Sequence, residues 1–294
     1  MESLLSVAFD NISSRDNTKI RKGLRQIEGL LAQICLSKAS SRSPHKRKSS
    51  MLSDKQQSSP KKLRELRNDP AFREFFRLQE GFQCNVASRL VSTLERLMGM
   101  GNPSQTDLLI ASTLELLQGI LLLHPPSRSL FGREVYMNLL LDLLDAANPP
   151  KIQSQGLLVI VAALLECPRN TRTFEDMDGL LTVTSLFKSR STSKEVKMRT
   201  LEFLYFYLMP ESAVLSRNSA PNTVAVERIP SKSSHPSADH ARTHSGGSAM
   251  DIDDEEPDTR SMAEKQGLLG QYLNNVAELV QDLQESTPFG VPAA

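Results

Sequence analysis

Pro126, Pro168 and Pro210 stand 42 residues apart, and each closes an apolar helical run of nearly the same design. The runs are Leu108 to Leu123, Ile152 to Leu165 and Glu195 to Leu208. Nine, six, four and three residues before each proline sit Leu117, Ile120, Leu122 and Leu123, then Val159, Ala162, Leu164 and Leu165, then Leu201, Leu204, Phe206 and Tyr207. A period of about 40 to 47 residues with two or three helices per unit marks the armadillo/HEAT class of stacked repeats. The long runs are apolar on most faces, as helices are when neighbours cover both sides. The expected fold is all-α: an armadillo/HEAT-like α-solenoid with disordered insertions and a C-terminal amphipathic helix. Such folds offer long surfaces to other proteins, so the first expectation is a binding module.

Around this repeat region, residues 68–210, the chain divides by composition. Residues 1–36 give two helices, with Leu4, Leu5, Ala8, Phe9 and Ile12 on one face and Ile20, Leu24, Ile27, Leu30, Leu31 and Ile34 on another. Residues 37–67 are rich in Ser, Lys and Arg and read as a disordered basic linker, too poor in apolar surface to offset ordering entropy. Asp69 and Pro70 open the next helix as cap and first-turn residue. Within the repeats, Leu123 to Phe131 and Leu165 to Phe174 are matching corners, each with a phenylalanine to plug the junction. Residues 211–260 read as a second disordered linker, acidic at Asp251, Asp253, Asp254, Glu255 and Glu256. A helix over 261–286 follows, opened by the capping box Ser261-Met-Ala-Glu264, with 287–294 as a tail. Its Leu268, Leu269, Tyr272, Leu273, Val276, Leu279, Val280 and Leu283 share one face. The surface expected to receive either this helix or a partner is Leu201, Phe203, Tyr205, Phe206 and Tyr207, because a terminal repeat needs a cap.

The 35 Lys and Arg balance 34 Asp and Glu, so the whole molecule is no polyanion binder. Cys35, Cys84 and Cys167 are an odd number without paired spacing, which points to a reducing compartment. The longest strongly apolar stretch, Leu157 to Leu165, is too short to cross a bilayer, and Glu2 stands where a signal peptide carries basic residues. A soluble cytoplasmic or nuclear protein is expected, with no membrane contact.

Chemistry is not apparent. The sequence has no glycine-rich phosphate loop and no kinase triplet. A cysteine phosphatase needs five residues between its cysteine and an arginine, whereas four residues separate Cys84 from Arg89, four separate Cys167 from Arg172 and six separate Cys35 from Arg42. His235, Asp239, His240 and His244 lack a rigid frame for a metal, and Glu256 occupies the glycine position of a calcium loop that begins at Asp251. No catalytic residue, metal or cofactor is expected.

The linkers carry signals of another kind. Ser43-Pro-His-Lys46 and Ser59-Pro-Lys-Lys62 match the form preferred by cyclin-dependent kinases. His45 to Ser50 and His240 to Ser245 match the His-x-Arg-x-x-Ser form of NDR-class kinases. Ser43, Ser59, Ser50 and Ser245 are therefore candidate phosphosites, where phosphate would cancel local positive charge. Lys46-Arg-Lys48 with Lys61 and Lys62 resembles a bipartite import signal. No aromatic residue stands near to stack on bases, so nucleic acid is not expected as a partner.

Residues 16–31, Phe75 to Val86, Leu116 to Pro125, Gln155 to Arg172, Lys197 to Leu208 and Leu268 to Gly290 together resemble a known family. It is the fungal septation-initiation-network subunit that shares a cell-division-control name with the unrelated mitotic-exit phosphatase. The resemblance implies a non-catalytic partner of a germinal-centre-class protein kinase, acting at the spindle pole body in late mitosis to promote septum formation and cytokinesis. The alternative is an armadillo-type adaptor for a different cargo, in nuclear transport or polarity.

Overall fold

The computed structural model describes residues 1–36, 60–100, 103–211 and 259–286. Among the described residues the regular structure is helical, apart from a single β-bridge between Leu36 and Pro60. The helices are α1 (Glu2–Ile12), α2 (Asn17–Cys35), α3 (Leu63–Asn68), α4 (Pro70–Glu80), α5 (Val86–Met98), α6 (Pro103–Leu123), α7 (Glu134–Asp142), α8 (Pro150–Leu164), α9 (Pro168–Asp176), α10 (Gly179–Lys188), α11 (Lys194–Leu208), α12 (Met262–Gly270) and α13 (Val276–Ser286), with a 3-10 segment over Pro125–Gly132. Local chemistry sets their starts. Asp16, Asp69 and Asn85 each accept a bond of 2.8 Å from a backbone amide two or three residues on, and Ser261 and Glu264 close a capping box. The repeat prolines both stop and start. Pro125 and Pro168 stand at the first turn of the corner segments, where a missing amide costs nothing, and Pro210 follows the end of α11.

Helices α2, α6, α8 and α11 stack side by side as one row; α1, α5, α7 with the 3-10 corner, and α9 with α10 form a second row behind it. This is a two-layered α-solenoid. A continuous core runs between the rows, from Leu5 and Ile12 through Leu90, Leu117 and Ile160 to Phe203 and Leu208. Phe131 and Phe174 are fully buried at the corners, where their sequence positions put them. Helix α6 is long and apolar enough over Thr106–Leu123 to cross a bilayer by length and composition, which corrects the reading of Leu157 to Leu165 as the longest such stretch. Half of that stretch is buried against α2, α5 and α8, as in a central solenoid helix.

The 42-residue period also has a polar signature. Arg128 Nε donates to Leu121 O at 3.0 Å, and Asn170 Nδ2, 42 residues later, donates to Ala163 O at 2.7 Å. Both side chains occupy the same place and satisfy a carbonyl near the end of a long helix that has no intrahelical partner. Each then reaches a neighbouring repeat, Arg128 Nη1 to Leu165 O at 2.7 Å and Asn170 Nδ2 to Arg128 O at 2.8 Å. The corners are thus stitched to one another by buried hydrogen bonds.

Two further expectations are corrected. The basic linker does not extend to residue 67: Leu66 is buried, and Lys61 Nζ donates to Ile34 O at 2.8 Å and pairs with Asp69. One buried leucine and one shared lysine order this stretch, which average composition hides. The C-terminal helix is broken, with Gln271 to Asn275 forming a turn between α12 and α13. Gly270 and the pair Asn274-Asn275 are poor helix formers and break the helix while the apolar spacing continues.

His124 begins the first corner, fully buried, with Nδ1 at 2.8 Å from Ser127 Oγ and its ring edge-on to Phe76 at 4.5 Å. Burial holds the imidazole below its ordinary range. An imidazole depressed in the folded state contributes stability that is complete above about pH 6.5 and lost as pH falls below it. The other four histidines lie outside the described residues. The melting temperature is therefore expected to fall between pH 7 and pH 5 in thermal scans, and His124→Gln to flatten that slope.

Candidate functional site: an uncovered face and a C-terminal clamp

The first site follows from the stacking. Neighbours cover α6, α8 and α11 on most sides and leave one stripe on each. On α6 the stripe holds Leu108, Ser112, Leu116 and Leu122, on α8 Lys151, Gln155, Leu158 and Val161, and on α11 Met198, Leu201, Glu202 and Tyr205. Leu116, Leu158 and Leu201 are each half-buried on consecutive long helices. Leu108 is 61% exposed, Leu122 50% and Met198 54%. A face of this length keeping aliphatic side chains at the surface is typical of a protein-binding surface.

The second site lies at the end of the row. α12 and α13 pack on α11 and bury Leu269, Leu273, Val276 and Val280. Of the receiving residues, Phe203 and Tyr207 are fully buried, whereas Tyr205 and Phe206 are half-buried, as is Tyr272 of the C-terminal segment. Phe203 packs at 5.4 Å, tilted, against the corner Phe174, so the terminal aromatics continue the corner plug. Phe206 also lines a half-open notch of 250 Å³ with Cys167, Thr171, Met209 and Lys265.

A polar clamp fastens this end. Arg172 pairs with Glu175 at 3.0 Å and with Glu211 at 2.7 Å, and Lys265 pairs with Glu211 at 3.0 Å. Arg260 pairs with Glu175, and its backbone amide donates to Glu211 at 3.0 Å. Tyr207 donates its hydroxyl to Glu175 at 2.6 Å, and Lys265 donates to Met209 O at 3.0 Å with its ammonium 5.1 Å from the Tyr207 ring centroid. Side-chain exposure is 6% for Glu175, 10% for Glu211 and 4% for Lys265. Burial pushes the Glu175 carboxyl up and the Lys265 ammonium down from their ordinary ranges, and burial with the Glu175 carboxylate beside it pushes the Tyr207 phenol up. Each charge is kept in a dry place by the others. The carboxylates are occupied by ion pairs, so the clamp holds rather than reacts.

None of the five clamp charges stands out in its local sequence. Arg172 and Glu175 read as an ordinary i,i+3 helix pair, Glu211 and Arg260 as ends of a linker, and Lys265 as the polar side of a helix. Only their approach across 49 residues of chain, from Glu211 to Arg260, makes them a site. Cys35, Cys84 and Cys167 are free, half-buried thiols. Ser43, Ser50, Ser59 and Ser245 lie outside the described residues.

A family profile described as "Cell division control protein 14, SIN component" matches residues 1–289. A relative named "Cell division control protein 14", from Schizosaccharomyces pombe, is 24% identical over 298 residues, covering 99% of this chain and 97% of its own. No solved structure matches the chain.

Proposed function

The chain belongs to the SIN-component family of cell division control protein 14, and from that premise we propose that it is a non-catalytic scaffold for a germinal-centre-class protein kinase of the septation initiation network. The family is the network component, distinct from the phosphatase, and its role is in septation and cytokinesis. The observation that carries the proposal is the family match across 1–289 in a chain built as a two-layered solenoid. A solenoid works by presenting surface, and the uncovered stripes of α6, α8 and α11 supply one long enough for a partner helix or domain. The kinase is stabilised in its active arrangement by being held there, in the cytoplasm and at the spindle pole body in late mitosis.

Kinase turnover on a peptide substrate, with and without the purified full chain, tests this reading. An increase saturating at one chain per kinase is the expected result. Turnover unchanged at saturating chain overturns activation.

A further inference from the structure

Three depressions meet at one arginine on the N-terminal part of the solenoid. Arg25 of α2 lines a 610 Å³ groove against α6, a 320 Å³ groove against α1 and a shallower hollow along α2 itself. The α6 groove is floored by Leu24, Leu108, Leu109 and Leu116, and the α1 groove is edged by Leu4 and Val7. Leu4 and Leu108 are each 61% exposed and Val7 49%. Apolar side chains therefore flank α2 on both sides while its crest is basic. Arg21, Lys22 and Arg25 are exposed, and none has an ion-pair partner among the described residues. Across the α6 groove, by contrast, Lys151 does face a carboxylate, Glu115 at 3.9 Å. Helix α2 carries Lys19, Arg21, Lys22 and Arg25 against the single acidic Glu28.

We infer that this α1–α2–α6 face is a docking surface for an acidic amphipathic helix of a protein partner. The inference rests on the reading of the chain as a kinase-binding scaffold and names the element by which the kinase engages it. The shape selects a helix: the floor spans Leu108 to Leu116, about 12 Å along α6, which two or three turns of a partner helix would cover with anchors at i, i+3 or i+4, and i+7. The charge selects its flank. Arg21 and Arg25 stand one turn apart on α2, so carboxylates one turn apart on the partner meet both. The exposed leucines supply the apolar contact, and the unpaired guanidinium groups steer the approach.

The test uses the full chain and the network's germinal-centre kinase, with Kd measured by titration. Arg21→Glu with Arg25→Glu is expected to weaken binding at least about tenfold while leaving the melting temperature unchanged, since both side chains are exposed on a helix surface. Arg21→Lys with Arg25→Lys should retain most of the affinity, and Lys188→Glu with Arg190→Glu, at the far end on and beside α10, should retain all of it. Wild-type binding that the double reversal does not weaken overturns the inference and leaves the kinase reading intact. Absence of wild-type binding overturns both. Two other results also overturn it: sedimentation of the chain with phosphatidylcholine–phosphatidylserine vesicles that the reversal abolishes while kinase affinity is untouched, or a dimer of the chain alone that the reversal dissolves.

Discussion

Glu175→Ala is expected to lower the unfolding free energy by about 3 kcal/mol, the scale for removing one partner from a buried ion pair. For a domain of this size that is roughly 6–12 °C in melting temperature. The substitution removes one carboxylate from Arg172, strips Arg260 of the Glu175 carboxylate and orphans the Tyr207 hydroxyl. Tyr207 is 1% exposed, so its hydroxyl has no water to turn to. Because burial already pushes the Glu175 carboxyl up, the ionised form is held at some cost. Glu175→Gln, which keeps an acceptor for Tyr207, is therefore expected to cost clearly less than alanine. The loss should appear first at the C-terminal end, since α12 and α13 are held by the clamp and a modest apolar contact. Trypsin cleavage after Lys265, a residue 3% exposed in the intact fold, is the local readout. It should accelerate in Glu175→Ala well before cleavage within α5 or α6. Equal acceleration at every site would show that the clamp is part of the global core instead.

At the other end of the molecule, two glycines of the same helix are expected to respond with opposite signs. A Cβ on Gly23 would lie 2.6 Å from Ile12 Cγ2 and 2.8 Å from both Ala8 O and Ile12 N. Two of these neighbours are backbone of α1, so no side-chain rotation relieves them and α1 must move off α2. Overpacking of this kind costs about 1–3 kcal/mol, and backbone obstruction puts Gly23→Ala at the upper end even after the gain in helix propensity. Gly29, six residues on, has nothing within 4 Å of its would-be Cβ and is exposed. Gly29→Ala should therefore stabilise by about 0.5–1 kcal/mol through propensity alone. Chemical denaturation of the two variants side by side gives the comparison. Stabilisation by both would mean that α1 does not approach α2 as closely as the Gly23 contact requires.

These residues also show what the sequence could and could not reveal. Periodicity was enough for the solenoid, because Pro126, Pro168 and Pro210 repeat a physical event: a long apolar helix ends and a corner begins. It was enough for the corner plugs Phe131 and Phe174, and for the apolar faces of α1 and α2 apart from Leu4, which is exposed, because those rest on local spacing. The break between α12 and α13 was harder, since Leu269, Leu273, Val276 and Val280 keep a helical spacing across a turn. Leu66 and Lys61 escaped because a single buried residue hardly changes the composition of a basic stretch. The clamp was out of reach for a different reason. Arg172, Glu175, Glu211, Arg260 and Lys265 become a site only through tertiary approach, and charged residues in linkers and on helices look alike until it is known what they face. The same holds for the basic crest of α2: Arg21 and Arg25 gain meaning from Leu4 and Leu108, which belong to other helices.

The proposed function is that this chain holds a kinase. Mixing the purified full chain with the septation network's germinal-centre kinase and recording the mass of the eluted species on a sizing column with light scattering tests that directly. A single peak at the summed mass of chain and kinase is the predicted result. Separate elution of the two at micromolar concentration would contradict it.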